Sequence, residues 1–213
     1  MDSATYTTSP GTRTAWLFEL DAGVLCLDFV NTLSSTSGEH LNGCADLVDF
    51  AHQSALLTQP RTERLHAQAV AQPATADKVL QRAKRLRKAL SGIFSAIAAS
   101  KTPPASDLHA LNVEVASSMA HARVVEHGDG GLGWGWSGDG LDSMLWPIVR
   151  SAADLLTSET QRPLVRECGA GDCRWLFLDT SKNRTRQWCS MQSCGNREKA
   201  RRHYQRLRTQ RSG

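Results

Sequence analysis

Four cysteines in the last third of the chain form two pairs of identical spacing, Cys168-x4-Cys173 and Cys189-x4-Cys194. Thiolates are preferred ligands of Zn²⁺, and structural zinc sites are tetrahedral and closed by four protein ligands. Two short turns with two thiolates each, joined by a segment that can fold back, supply such a set. The spacing therefore predicts one structural Zn²⁺ bound by all four of these cysteines.

Disulfide bonds or a reversible thiol switch are the alternative use of these residues, because the chain has six cysteines in all. The start of the chain lacks the basic and then apolar segments of a secretion signal, and no apolar run reaches the roughly 18 residues of a membrane span. We therefore expect a cytoplasmic, reducing location, where paired cysteines bind metal more often than they cross-link. Of the other two cysteines, Cys26 lies in an apolar run and is expected to be buried, whereas Cys44 lies in a more polar stretch.

The segment between the two pairs has the pattern of two short strands. Residues 174–179 and 184–188 alternate in polarity, and the polar run 180–183 between them is typical of a turn. Alternation places Trp175 and Phe177 on one face of the first strand. The pattern predicts a β-hairpin that joins the two cysteine pairs.

A helix is expected to follow the second pair and to begin near Asn196, which can act as its N-cap. Its Ala200, Tyr204 and Leu207 share one stripe, which we expect to cover the aromatic face of the hairpin. A cysteine knuckle, a hairpin and a helix in this order predict a small treble-clef-like zinc finger.

Arginine is concentrated in this same part of the chain. Residues 161–213 carry eleven Arg and two Lys against four acids, a net charge of +9, whereas residues 1–160 carry 12 basic and 17 acidic side chains, a net of −5. Arginine suits planar, bidentate pairing with phosphate, so the charge favours a nucleic acid as partner. The alternative is that these cations balance the thiolates and keep the helix soluble. The expected nucleic-acid contacts are Arg184, Arg186, Arg197, Arg201, Arg202, Arg206 and Arg208.

The first 160 residues have the composition of a globular domain that is mostly helical with a few short strands, so the whole chain is expected to be α+β. We expect a flexible tail over 1–12, one domain over 13–157 and the zinc finger over 158–213. Apolar spacing in the domain predicts a strand at 15–19, helices over 24–33, from 47, over 77–99, 106–120 and 141–156, and a hairpin of 121–126 with 132–136.

The sequence contains no catalytic template. A phosphate-binding glycine loop, an HExxH motif and a nucleophile with its base are all missing, so we do not expect an enzyme. Asp28 and Asn31 stand out as polar groups three residues apart on an apolar segment. They either line a ligand pocket or bond to nearby backbone.

Two stretches resemble known families. Residues 175–184, followed by WCSM at 188–191 and CGNR at 194–197, closely resemble the CGNR zinc finger, and LCLDFVNTL at 25–33 resembles the opening of the ABATE domain that precedes this finger in many bacterial proteins. The resemblance implies a stress-related transcriptional regulator whose N-terminal domain senses a signal and whose finger contacts DNA. It also implies that the four paired cysteines are the zinc ligands and that Arg197 is the arginine of the name-giving motif.

Three functions stay open on the sequence alone. The first is a DNA-binding regulator whose N-terminal domain responds to an unknown small-molecule effector. The second is a small-molecule-binding protein or an unrecognised enzyme whose finger is purely structural, and the third is a module that binds RNA or protein. A single basic helix would bind DNA weakly, so a homodimer is a further expectation, and no membrane partner is expected.

Overall fold

The computed structural model describes residues 6–7, 14–126, 128 and 130–211. Within them lie seven α-helices and four antiparallel pairs of short strands. The helices are α1 (Leu25–Val30), α2 (Cys44–Gln53), α3 (Gln59–Ala71), α4 (Pro73–Ala98), α5 (Ala105–Met119), α6 (Leu145–Thr157) and α7 (Asn196–Arg211). The strands are β1 (Tyr6–Thr7), β2 (Thr14–Ala15), β3 (Leu33–Ser34), β4 (Gly38–Glu39), β5 (Ala122–Glu126), β6 (Leu132–Trp136), β7 (Val165–Glu167) and β8 (Leu176–Leu178).

Helix α4 is the centre of the N-terminal domain. Its apolar residues recur at three- and four-residue spacing, and they bury one face against α1, α2, α3, α5 and β7. Pro73 begins the helix at a position where its missing N–H has no cost. The largest fully buried side chains are Trp146, Phe29, Phe50 and Phe94.

Most helices of this domain were predictable, and the predictions for α1, α2, α4, α5 and α6 and for the β5–β6 hairpin are confirmed. Helix α3 was not predicted. Only Thr62 and Leu65 of its thirteen residues are buried, so its sequence lacks the regularly spaced apolar residues by which the other helices were recognised. The strand expected at 15–19 is wrong, since β2 ends at Ala15 and residues 16–20 are irregular. Of the tail expected over 1–12, residues 6–7 form β1, and the rest lies outside the described residues.

The β-hairpin expected between the cysteine pairs is wrong in its second strand. Strand β8 pairs instead with β7, with Val165 opposite Leu178, and residues 184–188 form a loop. Arg184 has a positive φ of 51°, which interrupts an extended strand. Burial favours β7 as the partner, because Val165 and Leu178 enter the core of the N-terminal domain together.

The two faces of β8 belong to different cores. Leu176 and Leu178 belong to the large core and pack near α1, while Phe177 between them packs with the four paired cysteines. This is the period of two that a strand imposes on its side chains. The finger therefore packs against the N-terminal domain, because strand β8 contributes side chains to both cores.

Helix α7 begins at Asn196 as predicted, but its apolar stripe does not cover the hairpin. Tyr204 is 68% exposed and Leu207 is 43% exposed, and every residue from 199 to 208 is exposed. Arg186 already lies over the ring of Phe177, so that aromatic face needs no helix above it. The helix is held mainly at its start by the π-helical turn Met191–Gly195. No helix in the described part of the chain is long and apolar enough to cross a membrane.

Candidate metal centre and arginine surface

The four paired cysteines converge on one point. Their Sγ atoms all lie within 4.8 Å of one another, and all four side chains are buried. The Sγ of Cys189 lies 3.7 Å from that of Cys173 and 3.6 Å from that of Cys194. Sulfur atoms at about 2.3 Å from a tetrahedral zinc are about 3.8 Å apart, so the cluster matches one zinc ion. A disulfide would need about 2.05 Å, which excludes the cross-linked alternative in this arrangement.

The chemistry of the thiols also fits a dication. A hydrogen bond from Cys189 lowers the pKa of Cys173 to about 5, so one thiolate forms readily. The same contact raises the pKa of Cys189, and burial raises the pKa of Cys194 to about 11. Several thiolates cannot share this buried space without a cation between them. One structural zinc therefore supplies the charge that the site lacks.

Short backbone contacts hold the two cysteine pairs together. Cys168 and Cys173 lie in the loop between β7 and β8, where the N–H of Cys168 donates to the carbonyl of Trp175 at 2.8 Å. The second pair is joined to the first because the N–H of Cys189 points to the Sγ of Cys168 at 3.5 Å. Ser190 then caps the turn that carries Cys194 by accepting the N–H of Ser193. Each cysteine pair is therefore positioned partly by hydrogen bonds to nearby residues and partly by the contact with the other pair.

Two of the arginines expected to contact nucleic acid have partners at the metal centre. The guanidinium of Arg197 donates to Asp172 at 2.9 Å and to the Sγ of Cys194 at 3.2 Å. That of Arg186 donates to the carbonyls of Trp188 and Cys189 and stacks 4.5 Å from the Phe177 ring centre. The contact of Arg197 with Cys194 corresponds to the alternative considered above, in which these cations balance the thiolates, whereas the role of Arg186 was not predicted from the sequence. We assign both arginines to holding the metal ligands.

Asp179 is a further functional residue that the sequence analysis missed. It is fully buried, and its carboxylate accepts the N–H and hydroxyl of Ser181 and the N–H of Arg186. Burial alone would raise its pKa, but these hydrogen bonds hold the pKa below its ordinary value. An aspartate followed two residues later by a serine predicts a turn in which the carboxylate accepts the backbone N–H of the serine. Asp179 fixes the loop that brings Arg186 to the cysteines.

Replacing Arg186 by leucine should weaken zinc retention. The substitution removes the donors that orient the Cys189 backbone, and loss of such an outer contact typically lowers metal affinity about 10- to 100-fold. Competition with a chromophoric chelator measures this affinity directly. Arg184→Leu is the matched control, because Arg184 is exposed in the same loop. Equal affinities of the two variants would contradict the role given to Arg186.

The remaining arginines of the predicted set lie on the surface of the protein. Arg201 is about half exposed and pairs with Glu198 at 2.9 Å, a surface contact of small energy. The others are exposed, one in the loop after β8 and the rest along α7: Arg184, Arg202, Arg206 and Arg208.

Asn31 bonds to the backbone of the finger. Its side-chain N–H donates to the carbonyl of Leu176, and its carbonyl accepts the N–H of Leu176, both at 2.9 Å. Both residues are buried, so the pair satisfies the polar groups of β8 inside the core. Of the two roles considered for Asn31, the structure supports bonding to backbone.

Asp28 has one oxygen committed to backbone and a half-buried carboxylate. Its Oδ1 accepts the N–H of Ala22 at 2.9 Å, and the carbonyl of Ala22 in turn accepts the N–H of Leu178. Burial, with the neighbouring charge of Asp21, raises the pKa of Asp28 from 3.8 to about 6. Asp28 thus supports the turn on which β8 rests, and it lines a small cleft together with Trp175.

Replacing Asp28 by asparagine should stabilise the protein above about pH 6. Because the folded-state pKa is raised, ionisation opposes folding, so the contribution of Asp28 is fully present below pH 3.8 and is lost as pH rises through about 6. Asparagine keeps an acceptor for Ala22 without the charge. The free energy of unfolding should rise by about 1 to 2 kcal/mol at neutral pH, allowing for solvent screening. Urea unfolding over the pH range checks this, and a gain independent of pH would contradict it.

Comparison with protein families gives two matches. A family described as "putative stress-induced transcription regulator", the ABATE domain, matches residues 23–159, and the CGNR zinc finger matches residues 165–207. No curated protein matches the chain. The second match contains all four clustered cysteines. The chain therefore belongs to the ABATE family and ends in a CGNR zinc finger that holds one structural zinc.

Proposed function

We propose that this protein is a DNA-binding transcriptional regulator that reads duplex DNA with α7. The observation that carries the proposal is the exposure of every residue from 199 to 208 on a helix anchored at its start to the metal centre. A structural helix would bury one face. Because no face of this arginine-rich helix is buried beyond its first turn, its whole circumference is available to a binding partner.

The order of side chains around α7 fits a groove of duplex DNA. At 100° per residue, Ala200, Tyr204 and Leu207 form one stripe. Arg201 and Arg208 flank this stripe along one edge, and Arg202 and Arg206 project from roughly the opposite face. The major groove admits a helix and has a phosphate backbone on each side. With the apolar stripe toward the base edges, where thymine methyl groups lie, Arg201 and Arg208 would reach one backbone, and Arg202 and Arg206 would reach the other by extending around the helix.

The dimensions are consistent with this arrangement. Helix α7 has 16 residues, a length of about 24 Å. Zinc fixes the start of the helix, and residues 199 to 208 that follow are exposed, with the guanidinium of Arg201 lying beside Gly171. The N-terminal domain is positioned to influence the finger, because β8 is shared by both cores and is held by Asn31. We infer that this domain regulates the finger.

DNA binding should depend steeply on salt. If the five outward arginines each neutralise one phosphate, log K should fall with log salt at a slope of about −4.5. The double variant Arg202→Gln with Arg206→Gln should reduce the slope by about 1.8 and weaken binding to all sequences alike. Fluorescence anisotropy with random duplex DNA at several salt concentrations measures both.

Arg85→Gln is the matched control, since Arg85 is an exposed arginine of α4 in the N-terminal domain. A slope near zero for the unmodified protein, or the same loss in the control, would reject α7 as the DNA-binding element. Stronger competition by single-stranded RNA than by duplex DNA would indicate an RNA-binding module.

A further inference from the structure

The hairpin of β5 and β6 has a free edge along each of its strands, because among the described residues the two strands pair only with each other. The N–H of Ser137 donates to the carbonyl of His121 at 2.8 Å, which continues the ladder past the end of both strands. Hydrogen-bonded and non-hydrogen-bonded pairs alternate in an antiparallel ladder, so the backbone groups that turn outward on β6 are those of Leu132, Trp134 and Trp136. These outward N–H and C=O groups have no partner within the described part of the chain.

Strand β6 carries none of the features that protect a strand edge. Its sequence, LGWGW, contains no charged residue and no proline. Such residues are common on edge strands, since an unprotected edge pairs with another strand. Strand β5 does have them, because Arg123 and Glu126 are charged and the guanidinium of Arg123 covers the outward carbonyl of Ala122 at 2.7 Å. The edge of β6 is therefore the one that is open to a further strand.

Exposed apolar side chains lie along this same strand. Leu132 is 76% exposed and Trp134 is 47% exposed. Trp134 also lines a groove of about 400 Å³ between β6 and α6, whose walls include Trp136, Pro147 and Leu155. Strand β5 contributes no residue to these walls, so the groove lies on the side of β6. An exposed apolar surface of this kind is typical of a contact site.

The groove favours a partner without charge. Arg150 stacks over the ring of Trp134, 4.3 Å from its centre, and its Nε donates to Asp154 at 2.7 Å. These two residues are the only charged ones among the described residues that line the groove, and they neutralise each other. A charged group placed here would lose hydration without gaining an opposite charge. An uncharged, apolar strand therefore fits better than a charged peptide.

Strand β6 of a second copy meets these requirements. Around a two-fold axis at Trp134, antiparallel pairing places Trp134 opposite its own copy and Leu132 opposite Trp136 of the second copy. Every outward N–H of one strand then meets an outward C=O of the other. Only apolar side chains and glycines enter the contact. The strand is thus complementary to itself both in hydrogen bonding and in polarity.

We propose that two copies of this chain pair through their β6 edges and join their hairpins into one four-stranded antiparallel sheet, in which the apolar side chains of each β6 extend over the groove of the other copy. This gives an interface for the homodimer expected from the sequence. The proposal concerns assembly, and it holds whether or not α7 binds DNA.

The test uses the full, zinc-bound chain without DNA. Sedimentation equilibrium at increasing concentration should give a mass that rises from that of one chain toward that of two. In a mixture of isotope-labelled and unlabelled chains, we expect intermolecular nuclear Overhauser effects between the methyl groups of Leu132 and the indole of Trp136. Within one chain these residues lie four positions apart on a strand, about 13 Å, which is too far for such a signal.

Leu132→Lys should weaken dimerisation about tenfold or more, because it places a charge on the edge beside Trp136 of the second copy. Val124→Lys is the matched control, since Val124 is 67% exposed on the same face of the hairpin but lies on β5. It should dimerise as the unmodified chain does. A monomer at every concentration would overturn the proposal and leave the edge to a strand of another protein. A dimer without the intermolecular signals, or equal dimerisation of the two variants, would overturn it as well.

Discussion

Removal of zinc is expected to unfold the cysteine loops and release α7 while α1 to α6 stay folded. The small core of the finger consists of the four cysteines with Ala170, Phe177 and two half-buried tryptophans, too little apolar surface to persist without metal. Val165, Leu176 and Leu178, in contrast, belong to the core of the N-terminal domain. The metal should therefore control the finger beyond β8 and not the whole chain.

The energetic effect should be large. Apparent zinc-binding free energies in structural fingers are about 10 to 16 kcal/mol at neutral pH, and this energy maintains the fold of the site. Chelation, or Cys189→Ser in its place, should abolish DNA binding by removing the anchor of α7. Far-ultraviolet circular dichroism should show only a partial loss of helix, with a separate, later unfolding of the N-terminal domain.

Cys44→Ala is the control, because Cys44 is also buried but lies on α2, away from the cluster. It should retain one zinc and full DNA binding. Zinc should also be lost more readily as pH falls, because protons compete for thiols whose pKa is raised, as for Cys194 at about 11. Unfolding of the entire chain in a single step on chelation would contradict the shared-strand arrangement.

The metal site could be predicted from sequence because its information is local. The spacing of Cys168 with Cys173 and of Cys189 with Cys194 is sufficient to define a four-thiolate set. The helices with a clear apolar period were predictable for the same reason. The pairing of β8 was not, since residues 184–188 alternate as well as a strand does. Only the burial of Val165 beside Leu178, a contact between distant parts of the chain, decides between the two partners.

The arginines show a second limit of sequence reading. Arg186, Arg197 and Arg202 are equivalent by residue type and by local charge, yet the first two face the metal centre and the third faces solvent. Their different roles follow from where Asp172, Asp179 and the cysteine thiolates lie in space. Charge patterning predicts that a surface is basic, but it does not assign each cation. Asn31 is a similar case, because its partner Leu176 is 145 residues away.

Replacing Asn31 by alanine should destabilise the junction between the two parts of the chain. The variant leaves the N–H and the carbonyl of Leu176 without partners in a position that water does not reach, since Leu176 is fully buried. Each buried, unsatisfied backbone group costs about 1 to 3 kcal/mol, so we expect a loss of about 2 to 5 kcal/mol. Urea unfolding followed by circular dichroism measures this loss.

The metal ligands are unchanged in this variant, so one zinc should still be bound, and this separates it from the cysteine variants. Asn42→Ala is the matched control, because the exposed Asn42 side chain donates only to the carbonyl of Glu39, at 3.2 Å. Its stability should change by no more than about 0.5 kcal/mol. If Asn31→Ala lost no more stability than Asn42→Ala, the two hydrogen bonds to Leu176 would not be what joins the finger to the N-terminal domain. A large loss with zinc retained would mean that the finger keeps its metal but loses its fixed position, which is the state in which α7 would no longer respond to the N-terminal domain.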